Sequence, residues 1–213
     1  MKARFIFLML ALYNCAAFAA PVDNPAPGDR VEVTGTIPED VEAVLVEDWY
    51  TTTDSMLCQH MVGEAGFMPS HFSKRATQTS ASNGQRSWLV WRDDVTPGHC
   101  GWTLKQVVVY LDSKASGKDP FQASNIPVRV AYVCRNGENC QNTWASNDNS
   151  EKPTFHRCDF ASVSQLAPGN SANPCALFDE KARGTDLGKY EHILRPGQHT
   201  VSFVITEVGK QHP

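Results

Sequence analysis

The stretch Thr200-Val-Ser-Phe-Val-Ile-Thr206 decides the fold. In an extended chain Val201, Phe203 and Ile205 fall on one side and Ser202, Val204 and Thr206 on the other, a period of two that no helix produces. The turn signal Pro196-Gly197 stands just ahead of it. Segments of the same kind recur upstream. Val31 and Val33 alternate with Glu32 and Thr34, and Val44 to Tyr50 is rich in β-branched and aromatic residues. Trp88 to Trp91 is short and almost wholly apolar, and is closed by Arg92-Asp93-Asp94 and Pro97-Gly98. Trp102 to Leu111 carries apolar residues of both parities, as a central strand covered on both faces does. Val128 to Cys134 follows Pro127. Helical signal is confined to Cys175–Arg183, with Asn173 as cap and Pro174 at the first helical position. Short strands, Gly/Pro punctuation and little 3.6-residue periodicity predict an all-β fold, a disulfide-stabilised antiparallel β-sandwich with little helix.

The N-terminal residues set the compartment. Lys2 and Arg4 precede the apolar run Phe5–Tyr13, and Ala16-Ala-Phe-Ala-Ala20 follows. That is the layout of a secretory signal peptide with Ala17-Phe18-Ala19 as the cleavage site. The run is well short of the roughly 20 apolar residues a spanning helix needs, so no transmembrane segment is expected. Residues 1–19 read as the signal peptide and 20–29 as an extended lead, in which Pro21, Pro25 and Pro27 each lack a backbone donor. Residues 30–213 read as a single β-sandwich domain, with order starting at Arg30 and the lead left free. Leu12-Tyr13-Asn14 has the leucine of a lipobox but not the small residues beside the cysteine, so a lipid anchor at Cys15 is the lesser alternative. No Asn begins an N-x-[ST] sequon, which disfavours eukaryotic secretion, and the expected location is periplasmic or secreted.

Export makes the cysteines disulfide material. Of seven, Cys15 departs with the leader, leaving Cys58, Cys100, Cys134, Cys140, Cys158 and Cys175. A three-residue loop Asn136-Gly137-Glu138 sets Cys134 opposite Cys140 and predicts a local bridge. Nearest-neighbour pairing then gives Cys58–Cys100 and Cys158–Cys175.

Charge narrows the partners. The formal net charge is −4, and loss of Lys2 and Arg4 makes it more negative. An acidic, evenly mixed chain does not neutralise phosphates, so neither nucleic acid nor anionic lipid is an expected partner. Catalytic motifs are incomplete. Cys58-Gln59-His60 and His99-Cys100 resemble thiol–imidazole pairs, but oxidation removes the thiolate. Gly169-Asn170-Ser171-Ala172-Asn173 lacks the closing glycine of a nucleophile elbow. Asp93-Asp94 and Glu47-Asp48 are adjacent carboxylates, which point to opposite faces of a strand and read as solubilising strand ends. His192 and His199 flank a turn, and Asn147-Asp148-Asn149-Ser150-Glu151 offers oxygen atoms without EF-hand spacing, so neither is read as a metal site. No cofactor is expected.

Binding is the better reading. Trp49, Trp88, Trp91 and Trp102 lie in strands and are expected in the core, whereas Trp144 sits in the polar run Asn142-Thr-Trp-Ala-Ser-Asn-Asp-Asn149. A large aromatic there suits an interface anchor, with Asn142, Asn147 and Asp148 as polar contacts. The long polar stretches Ser73–Ser87 and Gln141–Pro153 read as the loops that carry it. The expected function is a non-catalytic exported binding protein, an inhibitor, immunity-type protein or adaptor with a protein partner in the cell envelope. The alternative is a carbohydrate-binding or hydrolytic module of the envelope.

Overall fold

The computed structural model describes residues 20–63, 66–114, 117, 119, 126–133, 153–160, 175–178 and 193–207. In chain order the strands are β1 (Val22–Asp23), β2 (Arg30–Thr36), β3 (Val41–Tyr50), β4 (Gln59–Met61), β5 (Phe67–Pro69), β6 (His71–Arg75), β7 (Thr77–Ser82) and β8 (Gln85–Trp91). They continue as β9 (Val95–Thr96), β10 (Thr103–Ser113), β11 (Ile126–Val133), β12 (Thr154–Cys158), β13 (Cys175–Phe178), β14 (Ile193–Leu194) and β15 (Thr200–Glu207). One 3₁₀ turn, Met56–Cys58, precedes β4.

The two large sheets run β14-β11-β10-β3-β6 and β13-β12-β15-β2-β8-β7, and β1-β9 and β4-β5 form two small ribbons. Alternation sends Leu45, Trp49, Val107, Val109 and Leu111 of one sheet, and Val31, Val33, Trp88, Val201, Phe203 and Ile205 of the other, into one buried cluster. The fold is therefore an all-β sandwich. Most ladders are antiparallel, but β15 runs parallel to both β2 and β12, and β14 parallel to β11. Parallel neighbours need long connections, and these pairs are distant in sequence.

The chain changes sheets at Ala76. β6 pairs with β3, β7 pairs with β8, and between them Ala76 N–H donates to the Leu45 carbonyl at 2.9 Å. The Ser73–Ser87 stretch, expected as a loop, is thus mostly strand. β7 is an edge strand exposed along its whole length, so both faces are polar and no alternating apolar pattern marks it. Its turn is Asn83-Gly84, both residues with positive φ (48° and 75°), the two-residue hairpin geometry.

Two further expectations fail. Cys175–Phe178 is a strand and not the start of a helix, because it pairs antiparallel with β12 with Cys175 directly opposite its disulfide partner. The proline-rich lead is tied down, not free. Val22 and Asp23 pair with Thr96 and Val95, and Asn24 N–H donates to the Asp94 carbonyl at 2.7 Å. The Asp93 carboxylate accepts from the amides of Gly28 (2.9 Å) and Asp29 (3.0 Å), and Asp29 pairs with Arg92. Proline leaves this segment few amides. Those of Gly28 and Asp29 go to the Asp93 carboxylate, that of Asn24 to the Asp94 carbonyl and that of Ala26 to the Asn24 side chain.

Disulfides join Cys58 to Cys100 and Cys158 to Cys175. Two such bridges fit an oxidising compartment outside the cytoplasm. Among the described residues no helix is long and apolar enough to cross a membrane.

Candidate functional site

Between β3 and β6 the chain leaves the five-stranded sheet and returns, through the 3₁₀ turn and the β4–β5 ribbon. The root of this excursion is fixed. Cys58 is bonded to Cys100, and Thr51 Oγ1 donates to the Cys58 carbonyl at 2.6 Å. Ser70 N–H also donates to the Cys58 carbonyl (3.1 Å), Thr51 N–H to Ser70 (3.0 Å), and Thr52 N–H to Cys100 (3.1 Å). Gly101, with φ +62°, allows Thr52 to close over it, its Oγ1 donating to the Gly101 carbonyl at 2.9 Å.

Beyond this root the side chains face water. Met56, Leu57, Met61, Val62, Phe67 and Met68 are between 37% and 71% exposed. The register pairs Met61 with Phe67 and His60 with Met68, so Met61 and Phe67 share one face of the ribbon and His60 and Met68 the other. Residues 51–70 contain no Lys or Arg. This is a concentrated apolar surface on a rigid base, which monomeric soluble proteins rarely leave uncovered. Three thioethers give it an adaptable contact surface.

Other groups of interest are structural. Glu47 lies on the inner face of β3, buried, with Trp49 Nε1–H donating to its Oε2 at 3.1 Å. Burial pushes its carboxyl up from 4.5 to about 7, against the Trp49 hydrogen bond, while nearby Asp94 raises it further and Lys74 lowers it. Lys74 is ion-paired to Asp94 and to Asp23 at 3.3 Å, which couples the sheet to the lead. Asp48, on the opposite face, accepts from Ser73 Oγ and from Gln106 Nε2, both at 2.6 Å. Neither carboxylate of the Glu47-Asp48 pair is the solubilising group expected; both are buried and hydrogen-bonded. Asp93 and Asp94, likewise, hold the lead. His156 is buried, its Nε2 3.1 Å from Thr154 Oγ1, and burial lowers its pKa from 6.5 to about 3, so the ring is neutral.

A cleft of about 360 Å³ lies between the lead, the 92–97 turn and Trp102, with Asn24, Asp29, Arg92 and Thr103 among its walls. Of its charged walls, Asp29 and Arg92 are paired with each other, and the Asp93 carboxylate is taken up by the Gly28 and Asp29 amides.

Cys58 and Cys100 are oxidised, so neither supplies a thiolate to His60 or His99. Trp49, Trp88 and Trp102 are buried and Trp91 is half-buried. His199 Nδ1 lies 3.0 Å from the Arg30 carbonyl, and His192 falls outside the described residues. So do Cys134 and Cys140, together with Trp144, Asn142, Asn147 and Asp148. Among the described residues no three His, Cys, Asp or Glu side chains gather as a metal centre. The exposed ribbon has no counterpart in the sequence reading. Met56-Leu57, Met61-Val62 and Phe67-Met68 are apolar pairs like those of any buried strand; only the flanking Gly63 and Gly66 hint at a short hairpin.

No protein-family model, curated protein or solved structure matches this chain.

Proposed function

We propose that this chain is an exported, non-catalytic binding protein of the cell envelope, of inhibitor, immunity or adaptor type, which docks on another protein through the ribbon at residues 56–68. The observation that carries the reading is the exposure of six large apolar side chains beyond a root fixed by Cys58–Cys100. A rigid apolar projection binds without first paying to order itself. Lack of Lys and Arg in residues 51–70 favours an apolar protein surface over an anionic bilayer, which recruits basic segments. The signal-peptide layout of residues 1–19 and the two disulfides support a periplasmic setting. Trp144, with Asn142, Asn147 and Asp148, is proposed as a second contact region.

The test compares the natural protein with Met61→Ser/Phe67→Ser, immobilised and exposed to envelope extract. Both side chains are exposed, so the melting temperature should stay within about 2 °C, while the captured partner's affinity falls at least tenfold, as loss of interface anchors implies. Equal capture by both proteins removes the ribbon from the reading. Binding to protein-free lipid vesicles in its place removes the protein partner.

A further inference from the structure

We propose that His60, Met68 and His71 form a copper(I) site on the face of the ribbon opposite Met61 and Phe67. Antiparallel register sets His60 directly across from Met68, so both side chains leave the same face with neighbouring Cβ atoms. The His71 ring centre lies 5.5 Å from that of His60, with the planes inclined at 55°. An ion about 2 Å from one nitrogen of each ring stands roughly 3 Å from each ring centre. Two centres separated by 5.5 Å can therefore share one ion at the wide angle of a three-coordinate site.

Both histidines are held from outside the trio. His71 belongs to β6, opposite Tyr50 in the register, and its ring stacks on the Tyr50 ring at 5.4 Å. His60 follows the bridged Cys58 by two residues. Access is open, since His71 is exposed, Met68 is 48% exposed and His60 is half-buried.

The donor set selects the metal. Imidazole serves several transition metals, but a neutral thioether is a soft donor that adds affinity for copper(I) and little for harder cations. Two nitrogens and one sulfur leave the complex cationic, and the stretch 51–70 that supplies His60 and Met68 contains no Lys or Arg. The three ligands lie on the face opposite Met61 and Phe67, the two side chains the docking test alters, and only Met68 is common to this site and the exposed apolar surface.

The test is anaerobic competition of the disulfide-intact protein with bicinchoninate for copper(I). One equivalent should pass to the protein. Met68→Leu should weaken binding about tenfold, and His60→Asn/His71→Asn at least 100-fold, as loss of one and of two ligands. Met56→Leu/Met61→Leu should leave the affinity unchanged. In the natural protein silver(I), a diamagnetic stand-in, should shift the Met68 methyl and both imidazole signals and leave the Met56 methyl unmoved. That readout does not depend on any variant folding. No transfer of copper, an affinity insensitive to Met68→Leu, or silver shifts confined to Met56 and Met61 would each overturn the site.

Discussion

Gly35 shows how closely single atoms are placed in this sandwich. A Cβ there would lie 2.2 Å from Cζ of Phe203, because the Phe203 ring crosses over β2 at that point to stack on Trp88, 6.0 Å away. Gly35→Ala should therefore destabilise the fold by about 1–3 kcal/mol, the usual range for overpacking, seen as a shift in the urea midpoint with unchanged slope. A variant as stable as the natural protein would mean that the ring moves freely. Asp93 holds backbone where Gly35 makes room for a ring. Asp93→Ala leaves the Gly28 and Asp29 amides without their acceptor, so their hydrogen exchange should quicken several-fold while β10 is unaffected. Neither role was legible locally. Val33-Thr34-Gly35-Thr36 does not announce a ring arriving from residue 203, and Asp93-Asp94 looks like any acidic strand end.

The strands that bury one face were legible because burial writes a period of two into the sequence, as in Val31/Val33 and Val201/Phe203/Ile205. β7 has no such face and reads as loop, although Asn83-Gly84 is the residue pair a two-residue hairpin favours. The ribbon inverts the rule, since its apolar residues look inward-facing in sequence and face water in the fold. Nearest-neighbour pairing gave the two described disulfides, and their loop lengths rank them. Cys58–Cys100 spans 42 residues and Cys158–Cys175 spans 17. By chain entropy the first contributes about 4 kcal/mol and the second about 3 kcal/mol. Replacing Cys58 and Cys100 by Ser should thus lower stability more than replacing Cys158 and Cys175, and should also abolish partner capture by loosening the ribbon's root. The opposite order in urea melts would count against the ranking.

Across the whole molecule two buried groups titrate against each other. Glu47 goes from 4.5 unfolded to about 7 folded, so between those values the folded protein holds the extra proton and its stability falls as pH rises. His156 goes from 6.5 to about 3, so the unfolded chain holds the extra proton there and stability rises with pH. The two slopes, each at most about 1.4 kcal/mol per pH unit, oppose each other between pH 4.5 and 6.5. Glu47→Gln should remove the falling contribution, so that stability climbs more steeply with pH through that interval than in the natural protein; identical profiles would refute this. The same long reach governs assembly. β15 sits between β2 and β12, with Val201 beside Val33, so the six-stranded sheet has a gap at its centre until residue 207 has left the ribosome. Pairings that distant close slowly. A nascent chain still missing that middle strand cannot join β2 to β12, so this sheet stays open to threading until residue 207 has emerged.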